Sequence, residues 1–533
     1  MCARRAARAS SKDPARQSRN QAGRIADSCY DRPRATGVSS DGKLQADRPG
    51  AGRATPRPTA PEERPCRLAS ARREGYNGDR LVHSIPCAMN LSRGRTTMTN
   101  DHTWSERTTR RRFLKNGAAA GAALGALSLA RSVHAGGEET IKIGMIGCGG
   151  RCSGAAAQSM NVGPFVKLVA MGDVFQTRVQ ARRKALKGQF PDQVVVDDDH
   201  CFVGFDAYQK VIECADVVLI ACASKFHPMY SEAAVRAGKH VFVEKPHGID
   251  PVGVRRMQAV CDLAKEKGLS IVSGLQSRFH AGWQETVKRI HGGAIGDVVA
   301  VQSMFLRGPY RLESRQPGQR EIEYQFWNWY HFRWLSGDDV PQSLVHNVDR
   351  VSWIMKEELP TWAFGLGGRS SSFGEVYGDM FDHHTVVYEY KGGARLYALC
   401  RTQKNCYNNS SDIIMGTKGT CYLRRCRIEG ETNWQFEGPH NNPYQAEQEA
   451  LINSIRQGKP INSGYHMATS TMIGVLGQIA CYTGKATRWE EAYNADFQFG
   501  PPPEEASFDM EPPTRPDDTG NYPLPMPGVT KLL

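Results

Sequence analysis

The sequence predicts an α/β domain with a parallel sheet, followed by an α+β domain with a mainly antiparallel sheet. From residue 141 onward, short β-rich apolar runs alternate with longer helical periods, which is typical of a parallel sheet. The run Val-Val-Leu-Ile-Ala at 217–221 is apolar throughout, as expected of a strand covered on both faces. After residue 276 the alternation ends and strand-like segments follow one another.

The first domain is predicted over residues 136–275. A helix is expected over 251–267, because Asp250 is a favourable N-cap and Pro251 suits the first helical position. This helix places Val254, Met257, Cys261 and Ala264 on one apolar face. Strands are expected at 141–146, 166–171, 217–221, 240–243 and 271–273.

The second domain is predicted over residues 276–500, and the Pro-rich tail at 501–533 is expected to run along the surface as extended chain. Strands are predicted at 298–306, 384–390, 394–400 and 420–424. Helices are predicted at 281–291, 346–355, 443–457 and 466–484.

The formal charge of +13 belongs to the N-terminal part of the chain. Residues 1–100 carry 20 Lys and Arg against 9 Asp and Glu, and residues 101–135 carry 6 against 2. Residues 136–533 therefore have a net charge of −2. Because a near-neutral domain does not attract polyanions in general, we expect no nucleic-acid binding.

A stretch near residue 110 has the features of a twin-arginine export signal. Thr109-Arg110-Arg111-Arg112-Phe113-Leu114-Lys115 matches the pattern at each fixed position, and an Ala/Gly/Leu-rich stretch follows. Val133-His134-Ala135 is a suitable cleavage site. We therefore expect residues 98–135 to be a signal peptide that the twin-arginine export machinery reads, and the mature protein to be periplasmic.

The upstream stretch at 1–97 is rich in Arg, Pro, Ser and Gly and has no core-forming pattern. It is predicted to be disordered or, because Met98 would place the signal at the N-terminus, a spurious extension. The apolar stretch of the signal is shorter than the ~20 residues of a membrane span. No later segment is long and apolar enough, so stable membrane insertion is not expected.

Eleven of the 15 cysteines lie after residue 135, without a CxxC or zinc-type spacing. Because twin-arginine substrates fold before export in a reducing compartment, we expect buried thiols rather than disulfides. His383 and His384 follow Asp382, but no third ligand stands at a recognisable spacing. No metal site is therefore predicted.

A glycine-rich turn, Ile-Gly-Cys-Gly-Gly-Arg, follows the first predicted strand. Gly147 permits a tight turn, and Gly149 lets the backbone approach a pyrophosphate at a helix N-terminus. Cys152 replaces the third glycine of the motif, at a position that serves helix–strand packing. The second strand ends at Asp173, whose carboxylate can bind ribose hydroxyls and repel the 2′-phosphate of NADP. These features predict a Rossmann domain that binds NAD.

Two further loops, at 221–228 and 243–248, follow strands at the carboxyl edge of the same sheet, where ligands bind in open α/β folds. With Phe226-His227, Glu244-Lys245-Pro246 and Gln276-Ser277-Arg278, the sequence resembles the Gfo/Idh/MocA oxidoreductase family. The later His346-Asn347-Val348-Asp349 and the segment from Asn442 to Pro460 also match the family. The resemblance covers roughly residues 140–500 and is greatest to the twin-arginine-exported branch.

The resemblance implies an active site in which Lys245 lies beside nicotinamide and substrate and His346 is its acid–base partner. Many relatives carry Asp four residues before this histidine, where this chain has Gln342, so Asp338, Asp339 or Asp349 could orient the ring instead. Substrate contacts are expected from Arg278, Trp329, His331, Asp349 and His383. Cofactor contacts are expected from Gly147, Gly149, Gly150, Arg151, Asp173, Ala223, Ser224, Phe226, His227, Glu244, Lys245 and Gln276.

Three functions fit these features. The leading interpretation is an NAD(H)-dependent dehydrogenase of a sugar or sugar-derived polyol. The second is a redox-neutral, NAD-dependent glycosidase, since an exported enzyme must regenerate its cofactor in place. The third is a non-catalytic sugar-binding protein with a relict Rossmann domain, against which the presence of Lys245 and His346 argues. The resemblance also implies a homo-oligomer, because relatives commonly dimerise through the open face of the second sheet.

Overall fold

The structure is a computed structural model that describes residues 140–533. The upstream stretch at 1–97 and the export signal at 98–135 lie outside the described residues. None of the helices between residues 140 and 533 has both the length and the apolar character that a membrane span requires. All 11 cysteines in this part of the chain are free thiols, of which seven are buried as expected, three are partly buried and Cys406 is exposed.

The first six strands form one parallel sheet. Their spatial order, third-second-first-fourth-fifth-sixth, is that of a Rossmann fold. Five of them lie where the apolar runs predict them, whereas the third is an edge strand too short to show a pattern. The strands are β1 (Ile141–Ile146), β2 (Val166–Asp173), β3 (Cys201–Val203), β4 (Val217–Ile220), β5 (His240–Val243) and β6 (Ile271–Ser273).

Five helices cover this sheet. They are α1 (Gly150–Met160), α2 (Gln176–Gln189), α3 (Ala207–Cys214), α4 (His227–Arg236) and α5 (Pro251–Glu266). The predicted start of α5 is confirmed, because Asp250 Oδ1 accepts a 2.8 Å hydrogen bond from the amide of Gly253. The predicted apolar face of α5 is buried throughout.

The other nine strands form a second sheet. Only β7 and β10 are parallel neighbours, and every other pair is antiparallel, which confirms the predicted character of this sheet. The sequence does not indicate β8, which contains three glycines, or β11, which begins with four polar residues. In spatial order the strands are β14 (Trp434–Gln435), β13 (Arg427–Gly430), β12 (Gly419–Tyr422), β11 (Asn409–Gly416), β7 (Val298–Arg307), β10 (Arg395–Thr402), β9 (His383–Tyr390), β8 (Pro360–Gly368) and β15 (Thr487–Arg488).

Seven α-helices follow β6 in the described part of the chain. They are α6 (Ala281–His291), α7 (Glu321–Trp327), α8 (Arg333–Ser336), α9 (Val345–Ile354), α10 (Pro443–Arg456), α11 (Gly464–Thr483) and α12 (Trp489–Asn494). Helix α11 is buried and contributes Met467 to the core of the first sheet and Leu476 to that of the second. Helix α10 packs on α1 and β6, and its Leu451 and Ile455 are buried in the core that also contains residues of β1 and β2. The predicted second-domain range therefore also supplies a helix to the first sheet.

The tail at 501–533 has no α-helix or strand and packs along the core of the first sheet. Ala506 and Tyr522 are buried there, and Tyr522 Oη donates a 2.7 Å hydrogen bond to Glu321 Oε1. Gln325 Nε2 also donates to the main-chain oxygen of Thr514 at 2.7 Å. These contacts anchor the tail at several points.

Candidate active site

The turn between β1 and α1 is built around glycine. Gly147 has a φ of +92°, and a Cβ there would lie 2.7 Å from the main-chain oxygen of Ala221. At Gly149 and Gly150, by contrast, no heavy atom lies within 4 Å of the position that a Cβ would take. These two glycines therefore leave open space beside the N-terminus of α1, as a bound pyrophosphate requires.

The other positions of the motif also agree with the prediction. Cys152 is buried against β4, with its Sγ 3.4 Å from a main-chain oxygen of that strand. At the end of β2, the carboxylate of Asp173 accepts hydrogen bonds from the amides of Cys148 at 2.7 Å and Phe175 at 3.0 Å. Burial raises the pKa of Asp173, and the nearby Arg178 guanidinium opposes this shift. The carboxylate thus stands beside the glycine turn, where a ribose would lie.

A cleft opens in front of the glycine turn. Asp173 and the predicted cofactor residues Ala223 and Phe226 line the cleft, and so does Trp329, which we predict as a substrate contact. Further rings in its wall are Phe205, Tyr208, Tyr230 and Phe326. Glycine amides, a carboxylate and apolar rings form a site that fits a dinucleotide.

Two predicted cofactor residues hold the loops of the site together. Ser224 is buried, and its Oγ donates a 2.9 Å hydrogen bond to Gln342 Oε1 in the second domain. The buried His227 ring lies 2.8 Å from the main-chain oxygen of Pro246 and 3.2 Å from that of Cys222. Burial lowers the pKa of His227, so a neutral ring donates one of these two bonds. His227 therefore links the loop at 221–228 to the loop at 243–248.

Arg151 and Glu244, both predicted to contact the cofactor, form an ion pair with each other. Arg151 Nη2 also lies 3.2 Å from Glu447 Oε1, and its guanidinium lies 4.7 Å from the centre of the Tyr444 ring. Burial raises the pKa of Glu447, and the charge of Arg151 partly offsets that shift. Gln276 Nε2 donates to Tyr444 Oη at 3.0 Å. These residues join the Rossmann sheet to α10.

Lys245 and His346 lie close together, although they belong to different domains. Lys245 Nζ donates a 2.8 Å hydrogen bond to the main-chain oxygen of Gln342, one helical turn before His346. His346 Nδ1 is buried and has no hydrogen-bond partner among the described residues. Burial lowers the pKa of His346 well below its usual range, and the charge of Lys245 lowers it further. A cationic amine thus stands beside a neutral imidazole.

No carboxylate in the described part of the chain orients the His346 ring. Gln342, at the position where many relatives carry Asp, binds Ser224 instead. Each of the three predicted candidates has another partner: Asp338 binds Tyr482, Asp339 binds Arg307 and Asp349 binds Arg278.

Arg278 and Asp349, both predicted to contact the substrate, form an ion pair with each other. Arg278 Nε lies 2.9 Å from Asp349 Oδ1, and its Nη1 lies 2.7 Å from Glu357 Oε1. Asp349 is fully buried and also accepts a 3.0 Å hydrogen bond from Ser470 Oγ. The pair connects the segment after β6 to α9 and α11.

The two predicted substrate histidines differ in exposure. His331 is buried, its Nε2 lies 3.3 Å from the main-chain oxygen of Arg311, and burial lowers its pKa to about 4. His383 is half-exposed at the start of β9, with its Nδ1 2.7 Å from Asp382 Oδ1. Only His383 therefore presents part of its ring to solvent.

A polar cluster beside Gln342 is not indicated by the sequence. Arg307 Nη2 and Tyr310 Oη both lie 2.8 Å from Asp339 Oδ1, and Arg307 Nη2 is 3.0 Å from Ser343 Oγ. The Arg307 guanidinium lies 3.7 Å from the centre of the Tyr310 ring. Asp339 Oδ2 is buried and has no hydrogen-bond partner in the described residues. The cluster is thus a buried polar network centred on Asp339.

Stacked aromatic rings connect this cluster to the cleft. Tyr310 stacks on Tyr330 with centroids 4.7 Å apart, and Tyr330 stacks on Trp329 at 3.9 Å. Trp329 lines the cleft. The aromatic stretch at 323–334, for which the sequence supports core packing and substrate contact equally, thus contributes to both: Tyr324 is buried, and Trp329 faces the cleft.

Comparisons with known proteins agree with this architecture. The family model described as "Oxidoreductase family, NAD-binding Rossmann fold" matches residues 141–275, and the model of the same family's "C-terminal alpha/beta domain" matches residues 287–472. Together the two matches span more than half of the chain. The chain belongs to the Gfo/Idh/MocA family. It is therefore an oxidoreductase with an NAD-binding Rossmann domain, as predicted.

Several relatives within the Gfo/Idh/MocA family are distant. A myo-inositol 2-dehydrogenase of Thermotoga maritima is 23% identical over 369 residues, which cover 66% of this chain and 99% of the relative. A scyllo-inositol 2-dehydrogenase (NAD(+)) of Bacillus subtilis is 24% identical and covers 52% of this chain and 71% of the relative. The structure of an aldose-aldose oxidoreductase from Caulobacter crescentus aligns with a TM-score of 0.51 at 18% identity, covering 66% of this chain and 100% of that one. At this identity the structural match supports the fold.

Proposed function

We propose that this protein oxidises or reduces a sugar or a sugar-derived polyol by hydride transfer with bound NAD(H). The observation that carries the proposal is the 2.8 Å bond between Lys245 and the helical segment of His346, which brings both side chains together beside the Rossmann sheet. The names of the relatives, inositol dehydrogenases and an aldose-aldose oxidoreductase, support the substrate class.

Residues of this chain accept and release the proton of the reacting hydroxyl. When bound, the cofactor supplies or accepts the hydride at its nicotinamide ring. As a secondary alcohol is oxidised, its carbon loses a hydride and its oxygen loses a proton. The Lys245 ammonium can take up this proton as it passes one of its own protons to the neutral imidazole of His346. Because burial and Lys245 lower the pKa of His346, its imidazole is neutral and can accept a proton. A positioned acid–base group of this kind contributes about 10²–10⁴-fold in rate.

An aromatic ring in the cleft supports a carbohydrate substrate. Trp329 lines the cleft, and its ring offers an apolar surface for the carbon face of a sugar.

The proposal is tested by assaying the purified protein with a panel of sugars, polyols and aryl glycosides. Net appearance or loss of NADH absorbance with a sugar or polyol supports it. Release of the aryl group without net NADH formation identifies the redox-neutral glycosidase. Dinucleotide released by denaturation is measured in the same preparation, since a cofactor that survives export should remain bound with nanomolar affinity, about −12 kcal/mol. Protein without dinucleotide and without activity contradicts the proposal.

Export by the twin-arginine machinery to the periplasm belongs to the same proposal. Its support is the complete motif from Thr109 to Lys115, which lies outside the described residues. This pathway exports folded proteins, so the precursor would carry its bound cofactor with it. An NAD-dependent enzyme could then act outside the cytoplasm.

We also propose a homo-oligomer formed through the open face of the second sheet. Phe364, Val387 and Tyr397 are neighbours across β8, β9 and β10 on one face of this sheet, opposite α11. Phe364 is 41% exposed, Tyr397 40% and Leu366 75%, whereas Val387, between Phe364 and Tyr397, is 8% exposed, so this face carries three accessible apolar side chains. The mass of the wild type measured by light scattering, compared with Leu366→Glu, tests this. The exposed Val195→Glu is the control, and a monomeric wild type contradicts the proposal.

A further inference from the structure

Three side chains outside the active site converge on one point. His280, Cys426 and His440 each offer a ligand atom, and these atoms lie within 4.8 Å of one another. His280 caps α6, Cys426 precedes β13 and His440 lies in the loop before α10. We propose that these three residues bind a zinc-type transition-metal ion.

The chemistry of the ligands favours zinc over calcium or magnesium. Two imidazoles and one thiolate are borderline-soft donors, whereas calcium and magnesium require oxygen ligands. Bond lengths of about 2.0–2.1 Å for Zn–N and about 2.3 Å for Zn–S place tetrahedral ligand atoms about 3.4–3.6 Å apart. A separation of up to 4.8 Å therefore closes by a shift of roughly 1 Å, which the exposed His440 can make by side-chain rotation.

The backbone around the three ligands is fixed by hydrogen bonds. Asn441, which follows His440, accepts a 2.9 Å bond from the amide of Ala281 and donates a 2.8 Å bond to the main-chain oxygen of Phe279. These bonds tie the loop of His440 to the segment of His280. The main chain of Cys426 is held by 2.9 Å bonds to Leu423 and Phe436. The main-chain segments that carry the three proposed ligands are therefore already held in place by hydrogen bonds.

Cys426 adopts an unusual backbone conformation with a φ of +48°. Glycine and asparagine occupy this left-handed region most readily, so a cysteine there is uncommon. Its side chain is buried against Gly282, where an added Cβ would come within 2.8 Å of Cys426 Sγ. Glycine at position 282 thus leaves the sulfur room beside the two imidazoles.

The proposed ion would act as a structural clip. It would fasten α6 and β13 to the loop that leads into α10. Helix α10 in turn carries Tyr444 and Glu447, which contact Arg151 beside the Rossmann sheet. The open coordination position beside the exposed His440 would hold water. Because the ligands come from positions 280, 426 and 440, no short spacing reveals them, and for that reason no metal site is predicted from the sequence.

The fluorescence of Trp283, which lies beside His280, can report metal binding. His280 stacks on Trp283 with ring centroids 4.6 Å apart, and its Nδ1 accepts a 3.2 Å hydrogen bond from the Trp283 amide. Coordination through Nε2 puts the ring proton on Nδ1, which then no longer accepts this bond. Binding should therefore change the fluorescence of Trp283.

The test is a titration of the full-length, chelator-treated protein with Co²⁺ alone, followed by displacement with Zn²⁺. We expect one Co²⁺ site with tetrahedral visible bands and a thiolate-to-cobalt charge-transfer band, and loss of both on addition of Zn²⁺. Cys426→Ser should abolish the charge-transfer band. His440→Gln should weaken binding by more than tenfold, since even residues that only support a metal ligand change affinity about 10–100-fold.

The controls are Cys406→Ser and His200→Gln, which replace an exposed cysteine and an exposed histidine elsewhere in the chain. Both should bind Co²⁺ as the wild type does. Because His440 is exposed, its variant keeps the fold, and it decides the outcome if Cys426→Ser fails to fold. A charge-transfer band that persists in Cys426→Ser, affinity unchanged in His440→Gln, or the absence of a thiolate band in the wild type would overturn the proposal.

Discussion

Lys245 Nζ lies 2.8 Å from the main-chain oxygen of Gln342, four residues before His346. The acceptor belongs to the helical segment that carries the histidine, so this bond couples the position of the ammonium group to that of the imidazole. The coupling explains why the charge of Lys245 contributes to the lowered pKa of His346.

Lys245→Met should lower turnover by about 10²–10⁴-fold while the cofactor stays bound, because the variant lacks the amine that moves the hydroxyl proton. Turnover at saturating substrate and dinucleotide content are measured together. Lys265→Met, at an exposed position of α5, is the matched control. Weak substrate binding with normal turnover would assign Lys245 to positioning instead.

His346→Asn should reduce turnover to a similar or smaller extent. Because the pKa of His346 is lowered below its ordinary value of 6.5, its protonation should inhibit the wild type only at pH values below 6.5. This acidic limb of the pH–rate profile should disappear in the variant. His200→Asn, at an exposed position, should keep it. A variant with wild-type turnover and an unchanged profile would show that His346 is structural.

Asp173→Ala should weaken NAD binding and narrow the preference for NAD over NADP, because the carboxylate accepts ribose hydroxyls and repels a 2′-phosphate. Asp173→Asn removes the charge but keeps one acceptor oxygen, so its side chain can accept the bond from only one of the two amides, Cys148 or Phe175, which bind different carboxylate oxygens in the wild type. Stripped protein is titrated with each dinucleotide, with the exposed Asp197→Asn as control. Equal affinity of the wild type for both dinucleotides would contradict the role of Asp173.

His331 should make the protein sensitive to acid. Its folded pKa of about 4 lies below the ordinary 6.5, so the unfolded chain binds a proton between these pH values that the folded chain does not. The neutral His331 therefore contributes fully to the free energy of unfolding above pH 6.5. This contribution decreases by on the order of 3 kcal/mol as the pH falls from 6.5 to 4. Denaturant unfolding at several pH values should show that the free energy of unfolding falls less between pH 6.5 and 4 in His331→Gln than in the wild type. An identical pH dependence in His331→Gln and the wild type would contradict this explanation.

Replacement of both Arg110 and Arg111 by Lys should retain the precursor in the cytoplasm, because the export machinery reads the arginine pair. Fractionation with quantitative blotting measures this, and Arg131→Lys, beyond the motif, is the control. Mature protein from the periplasm should begin at or close to Gly136. An unchanged periplasmic yield of the double variant would refute export by this route.

The sequence by itself determines the local units of the fold. The strand, glycine turn and helix at 141–160 are visible in it, because Gly147 and the apolar run of β1 act over a few residues. The same holds for Asp250 at the start of α5. The motif Glu244-Lys245-Pro246 likewise indicates the family, because its three residues are contiguous in the chain.

Only the tertiary structure decides which side chains meet. Arg278 and Asp349 are each expected to face substrate, yet they bind one another across 71 positions of sequence. Ser224 and Gln342 are 118 positions apart. Local patterns report burial and backbone geometry, whereas the pairing of distant polar groups depends on how two sheets pack around α11. For that physical reason the cluster at Asp339 and the three convergent ligands at 280, 426 and 440 appear only in the folded chain.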